Sequence, residues 1–416
     1  MVVDRDISLG IYVSIPFCRS KCTYCNFASG VYPASEHARY IDRLTHDLAT
    51  AGTWAAQMGV DLPRRVDTVY LGGGTPSLLA PDLLARLFAG LRSHFDFDPD
   101  AEITVECAPG QLADETLAAL VAAGVNRVSL GVQSFIDSEA HASGRLHSRA
   151  IVADDLARLR AAGIANLNVD LIAGLAGQTF ASWQQSLNIL IDSAVPHASV
   201  YMLEVDEDSR LGREMLSGGA RYRAGLVPSD DAIAQMYSTA IDQLNQAGLP
   251  QYEISNFSRP AFESRHNLRY WQRRPYLGFG LDASSMLRAT PEKGDPASPR
   301  YVLRSTTTDE LGKFLDGATQ PETAWLSPLS QHEEAWFLSL RLNAGISVSA
   351  LQREFGPALV APALEVVTRL AQAGLLSHTR GKVRLNPQGR LLSNDVFQEF
   401  LALEPACELT APAVNL

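Results

Sequence analysis

From residue 9 to about 250 the chain alternates short β-branched runs with amphipathic stretches, and no other feature restricts its fold as much. Strands separated by helical segments build βα units around a parallel sheet, because each crossover returns the chain to the same end of the sheet. Six strands are expected, at Ile11–Ile15, Thr68–Leu71, Glu102–Glu106, Arg127–Val132, Leu167–Ile172 and Ser199–Val205. Helices are expected after them, among them Pro81–Arg92, Asp114–Ala123 and Arg149–Ala162, with Gly124 and Gly163 as stop signals for the last two. Six such units predict an α/β fold, a partial (β/α)6 barrel open on one side. Barrel sites gather at the C-terminal ends of the strands. There the chain places a cysteine loop, the run Gly72–Ser77, then Glu106, Gln133 with Ser134, Asp170 and Glu204.

Three of the five cysteines, Cys18, Cys22 and Cys25, fall within eight residues directly behind the first strand. Three thiolates on one loop can each bind a different iron of a four-iron, four-sulfur cluster, whereas a closed electron-transfer cluster takes four. The fourth iron is then open to a small molecule that chelates through an amine and a carboxylate. S-adenosylmethionine is such a molecule, and radical chemistry is among the tasks proteins hand to it. A structural zinc site would need a further Cys or His in a second ligand pair, and His37 has no partner at that spacing. Disulfides fit poorly with an odd cysteine count and no secretory leader. Inert thiols are the plainer alternative. The spacing Cys-x-x-x-Cys-x-x-Cys, with Tyr24 before the third cysteine, resembles the radical SAM superfamily.

A chain of 416 residues has room for two or three domains. Its net charge of −11 argues against nonspecific binding to nucleic acid or to anionic membranes, both of which need a basic surface. No apolar run approaches the roughly 20 residues of a membrane span, so no integral membrane segment is expected. The expectation is a cytoplasmic protein, where thiols stay reduced.

The glycines of Gly72–Ser77 let backbone approach a neighbour closely. No Lys-Ser/Thr pair follows, so the run is not a phosphate loop; it is either a tight βα turn or a cofactor cradle. From Tyr252 to Ser285 the sequence is too rich in aromatic and polar residues for a plain helix or strand, and is expected to extend the sheet. Residues 288–300 read as an exposed linker. Beyond it, helices at Gln331–Leu342, Val348–Glu354 and Val360–Ala373, strands at Leu376–His378 and Val383–Leu385, and a last helix from Pro387 to Leu403 suggest a smaller α+β, winged-helix-like domain. The expected division is a barrel over 1–250, an extension over 251–290 and a C-terminal domain over 300–405. Only scattered basic residues such as Arg380, Lys382 and Arg384 mark that domain, so a lid or docking role suits it better than DNA binding.

The cysteine loop, Gly72–Ser77, Leu130–Phe135, Gly144–His147, Asp170–Leu175 and Tyr252–Phe257 together are similar to the oxygen-independent coproporphyrinogen III oxidase family, from Ile11 to about Leu403. That family has a decarboxylating branch and a heme chaperone branch. Phe27 stands where the oxidases carry a further cysteine, and the first strand begins within ten residues of Met1, where the oxidases have a long extension. His266, Asn267, Tyr270 and Trp271 match the His-Asn-x-x-Tyr-Trp motif associated with heme binding in the chaperone branch.

The resemblance implies a radical SAM barrel with Cys18, Cys22 and Cys25 on a 4Fe-4S cluster, and Tyr12, Gly74, Thr75, Glu106, Gln133, Arg145 and Asp170 around S-adenosylmethionine. It implies heme at His266, a heme-acceptor protein as partner, and an electron donor to the cluster. On the residues alone, Arg145 could instead pair with a rim carboxylate, and His266 could be a hydrogen-bonded packing corner. Ala108, Ala176 and Ser284 depart from the family's usual Asn, Pro and His. Cys107 and Cys407 are expected to be non-ligands. The decarboxylating branch is the alternative function, so whether the chain is an enzyme stays open.

Overall fold

A computed structural model describes residues 8–290, 301–317, 319–401 and 403. Six parallel strands form its centre in sequential order: β1 (Leu9–Ile15), β2 (Arg65–Gly73), β3 (Asp96–Cys107), β4 (Arg127–Gln133), β5 (Asn166–Ala173) and β6 (His197–Met202). All six expected strands are present, and the helices Pro81–His94, Asp114–Ala122 and Arg149–Ala161 follow as the periodicity predicts. Gly124 and Gly163 take the left-handed conformation just beyond the last two. The sixth strand stops at Met202, so Glu204 lies past its end rather than on it.

The two faces of these strands differ. Ile11, Val13, Val69, Leu71, Ile103, Val105, Val128, Leu130, Leu167, Val169 and Val200 alternate onto the outer face and join the buried core. The inner face is polar: Tyr12, Thr68 and Tyr70, Thr104 and Glu106, Arg127 and Ser129, Asn168 and Asp170, His197 and Ser199. Parallel strands covered on both sides usually read as continuous apolar runs, and a closed barrel fills its interior with branched side chains. A polar lining is stable only where each group finds a partner or a ligand.

The sheet continues at both edges. β7 (Asn256–Ser258) runs antiparallel to β6, while β8 (Tyr276–Phe279) lies parallel to β1 and leads to antiparallel β9 (Ser284–Arg288), β10 (Val302–Thr306) and β11 (Glu322–Leu326). The stretch after Tyr252 therefore extends the sheet, but it also contains a plain helix, Arg265–Trp271, which the mixed composition had argued against. That helix is capped by Ser264 and by Glu102, whose carboxylate accepts the Arg265 and His266 amides at 3.1 and 3.0 Å. Such a cap replaces the partners missing at any helix start. Arg288, expected to open the linker, ends β9, and 291–300 lie outside the described residues.

β10 and β11, in the stretch expected to open the second domain, belong to the main sheet, and the second core is built by the helix Pro328–Leu340 and the elements after it, with Ile254 packed into it. It continues through helices Val348–Phe355 and Pro357–Gln372 and the three-stranded sheet β12 (Ile346–Ser347), β13 (Leu376–Thr379) and β14 (Lys382–Leu385), ordered β12-β14-β13. The single last helix expected from Pro387 is two short ones, Pro387–Leu391 and Ser393–Gln398, broken at Leu392. The break turns Val396 and Phe400 into the core, where the Phe400 ring stacks on Trp336 at 4.9 Å. No described helix is long and apolar enough to cross a membrane.

Candidate functional site

The cysteine loop leaves the C-terminal end of β1 and is closed at its base by paired backbone bonds, Cys18 N–H to Gly30 O and Gly30 N–H to Pro16 O, each 2.9 Å. Lys21 ties it across the middle by donating to the carbonyls of Phe27 and Ser29 at 2.9 Å. Gly74 and Thr75 N–H donate to the carbonyls of Ile15 and Phe17 at 2.9 and 2.8 Å. A Cβ on Gly74 would stand 2.8 Å from both of those oxygens. The glycine run is thus a close backbone seam between β2 and the stem of the cysteine loop.

Burial pushes the Cys18 thiol up, the hydroxyls of Ser29 and Thr75 pull it down, and the nearby Cys25 and Cys22 add repulsion. Cys25 Sγ lies 3.9 Å from Ser29 Oγ. Among the described residues no three His, Cys, Asp or Glu side chains converge as a single metal ion would require. A four-iron cluster makes a different demand, one thiolate per iron, and three half-buried thiols on one pinned loop are a donor set that fits it.

Behind the loop opens the polar inner face. Tyr70 donates to Glu106 at 2.8 Å, and burial, with Asp170 second, pushes the Glu106 carboxyl up to about 7. Asp170, also raised by burial, accepts from Ser129 at 3.0 Å and Asn168 at 2.7 Å. Arg145 donates to the Tyr24 hydroxyl at 3.1 Å, so it binds the cysteine loop and not a rim carboxylate, and its Nε has no partner. Thr23 N–H reaches Ser143 O at 3.0 Å and fastens the same two segments together. Gln133 is held at φ +70°, a strained angle for a residue with a Cβ. Tyr12, Glu106, Gln133, Arg145 and Asp170 therefore share one lumen, with Gly74 and Thr75 at its edge. Two half-buried carboxylates and a guanidinium with a spare N–H fit the ammonium, hydroxyls and carboxylate of S-adenosylmethionine.

His266 sits deeper and is 1% exposed. Its Nδ1 shares a hydrogen bond with Thr68 Oγ1 at 3.0 Å and its Nε2 with the Tyr270 hydroxyl at 2.8 Å, so neither ring nitrogen is free. The ring lies 5.3 Å from Tyr70 and 5.1 Å from Tyr270, centroid to centroid. Burial, then the Arg127 charge, pushes its pKa down to about 3, which keeps the imidazole neutral. Ser284 bonds Thr306 on the exposed side of β9 at 3.1 Å, apart from this cluster. Cys107 lies in the outer core, its thiol pushed up to about 12 by burial, and Cys407 lies outside the described residues. A separate trough of about 380 Å³ between the helix Ala34–Met58 and β8–β10 shares none of the lumen residues named here.

Reading strands from their apolar residues passed over Thr68, Tyr70, Thr104, Arg127, Ser129, Asn168 and His197. Their signal was present as the intervening positions of each strand, at the two-residue period that sends side chains to one face.

Residues 12–190 match the radical SAM superfamily, and residues 326–392 match the HemN C-terminal domain. A solved structure of coproporphyrinogen III oxidase (HemN) from Escherichia coli superposes with a TM-score of 0.79 at 22% identity, covering 95% of this chain and 91% of that one. The heme chaperone HemW of Lactococcus lactis is 32% identical over 392 residues, 94% of this chain and 96% of its own length. That of Bacillus subtilis is 32% identical over 396 residues, 94% and 98% respectively. The fold is that of a radical SAM protein. Within that superfamily the chain belongs to the HemW family.

Proposed function

We propose that this protein is a heme chaperone: it holds a 4Fe-4S cluster on Cys18, Cys22 and Cys25, binds S-adenosylmethionine and heme, and hands heme to an acceptor protein. The observation that carries the reading is the end-to-end similarity, 94% of the chain, to proteins named heme chaperone. When bound, the cluster would supply an electron to S-adenosylmethionine, delivered by a donor protein. Glu106 and Asp170 would accept hydrogen bonds from the cofactor's ammonium and ribose, and Arg145 would donate to its carboxylate. Tyr12, Gln133, Gly74 and Thr75 complete the contact surface. His266 supplies a neutral imidazole, the form that binds heme iron, and coordination requires its bond to Thr68 or Tyr270 to open. The setting is the cytoplasm.

The test is anaerobic reconstitution with iron and sulfide, then heme titration and an assay for protoporphyrinogen formation from coproporphyrinogen III on the same sample. Heme binding that weakens in His266→Ala, without porphyrin product, supports the chaperone. Product without stable heme binding replaces it with the decarboxylase.

A further inference from the structure

Two arginines stand among the largest fully buried side chains, and they are treated in opposite ways. Arg269 pairs with Asp67 and donates to the carbonyls of Ser8 and Pro275 at 3.0 and 2.8 Å. Arg127, 1% exposed, opens β4 on its inner face, and no hydrogen bond or ion pair to its side chain is present among the described residues. Its Nε is unpartnered, as are Thr104 Oγ1 and Asn166 Oδ1, the residues that flank it in register on β3 and β5.

Every carboxylate and ring nitrogen of the lumen near it is already engaged. Glu106 takes Tyr70, Asp170 takes Ser129 and Asn168, and Glu102 takes two helix amides. His197 bonds Asn168 at 2.6 Å and Tyr252 at 2.9 Å, and both nitrogens of His266 are occupied. A buried charge is retained in proteins when it is paired; Asp170 feels the Arg127 charge, but no hydrogen bond to the Arg127 guanidinium is present among the described residues. Arg145, the other under-bonded guanidinium, stands at the rim beside the cysteine loop, whereas Arg127 begins its strand six residues before Gln133. The lumen thus offers two anion-seeking groups at two depths, and the rings of Tyr12, Tyr70 and His266 cluster in the same lumen.

We propose that Arg127 is the carboxylate anchor of a second ligand compartment on the lumen floor, distinct from the S-adenosylmethionine contacts at the rim. A planar, aromatic carboxylic acid suits this setting. On the heme reading above, on which this inference rests, the anchored group is a porphyrin propionate. A guanidinium takes a carboxylate through two parallel hydrogen bonds, so the contact is lost when the carboxylate is esterified.

The reconstituted full chain is titrated with heme and with heme dimethyl ester by Soret absorbance, and with S-adenosylmethionine by equilibrium dialysis, in wild type, Arg127→Gln and Arg127→Lys. Wild type is expected to bind heme at least tenfold more tightly than the ester. Arg127→Gln erases that difference and leaves S-adenosylmethionine binding within twofold, and Arg127→Lys keeps part of it. Equal wild-type affinity for heme and ester overturns the proposal even if Arg127→Gln fails to fold. So does undiminished preference for heme in Arg127→Gln, or a loss confined to S-adenosylmethionine, which would move Arg127 to the cofactor's carboxylate. A wild type that takes up neither porphyrin defeats the heme reading itself, a separate outcome.

Discussion

The Tyr70 hydroxyl donates to Glu106 across 2.8 Å, from the inner face of one strand to the inner face of the next. A carboxyl ordinarily titrating at 4.5 is held there at about 7, chiefly by burial. The folded, ligand-free protein therefore binds a proton between those values that the unfolded chain has released. Stability from Glu106 is full below pH 4.5 and is lost as pH rises through 7, a difference of up to about 3 kcal/mol at 1.36 kcal/mol per unit. Glu106→Gln should raise the melting temperature of the ligand-free protein at pH 8 and leave it nearly unchanged at pH 5. The same variant should bind S-adenosylmethionine more weakly at pH 8. Equal melting shifts at the two pH values would show that Glu106 does not titrate in this range.

Gly74 has no room for a methyl group between the carbonyls of Ile15 and Phe17. Gly74→Ala should push β2 away from the stem of the cysteine loop at a cost of about 1–3 kcal/mol. Thermal unfolding and iron per chain after reconstitution read the two effects, and both should fall. Unchanged iron content would detach the seam from the metal site.

Cys18→Ala, Cys22→Ala and Cys25→Ala should each lower iron and sulfide content sharply, because each thiol serves its own iron. Cys107→Ser should retain the cluster, since its thiol faces the outer core. A Cys107 variant unable to hold iron would contradict the ligand set.

Among the described residues Asp67 is the only carboxylate paired with the buried Arg269, and it also holds Arg274 at 2.8 Å. Asp67→Ala strands the Arg269 charge, which in buried pairs costs about 3–5 kcal/mol. Urea unfolding should show that loss, and the doubly changed Asp67→Leu, Arg269→Met chain should recover part of it. Recovery follows because an apolar pair of similar volume leaves no fully buried charge uncompensated, Arg274 being 39% exposed to water.

Strand positions, the cysteine loop and the helix stops were legible because each is a local pattern, readable within a dozen residues. The two-residue period separates Val105 from Glu106, but which of the two faces becomes the core and which the lumen follows from pairing with β2 and β4 and from what covers the sheet. β10 and β11 join the sheet through pairings that composition does not encode. The motif at His266 pointed to the right place in the fold, while its hydrogen bonds to Thr68 and Tyr270 depend on residues about 200 positions away and one helical turn away. Arg127 looked like an ordinary strand start because a guanidinium left without a hydrogen-bond partner has no sequence signature.

β1 leads into the cysteine loop and ends up inside the sheet, with β2 on one side and β8 on the other. Its second neighbour, Tyr276–Phe279, emerges from the ribosome about 260 residues later, on the order of tens of seconds at cellular synthesis speeds. For that interval the strand that leads into the thiols is a bare sheet edge on an unfinished molecule. On the proposed cluster, iron loading would belong to the end of biogenesis, and chains halted before residue 276 should take up less iron than the full chain.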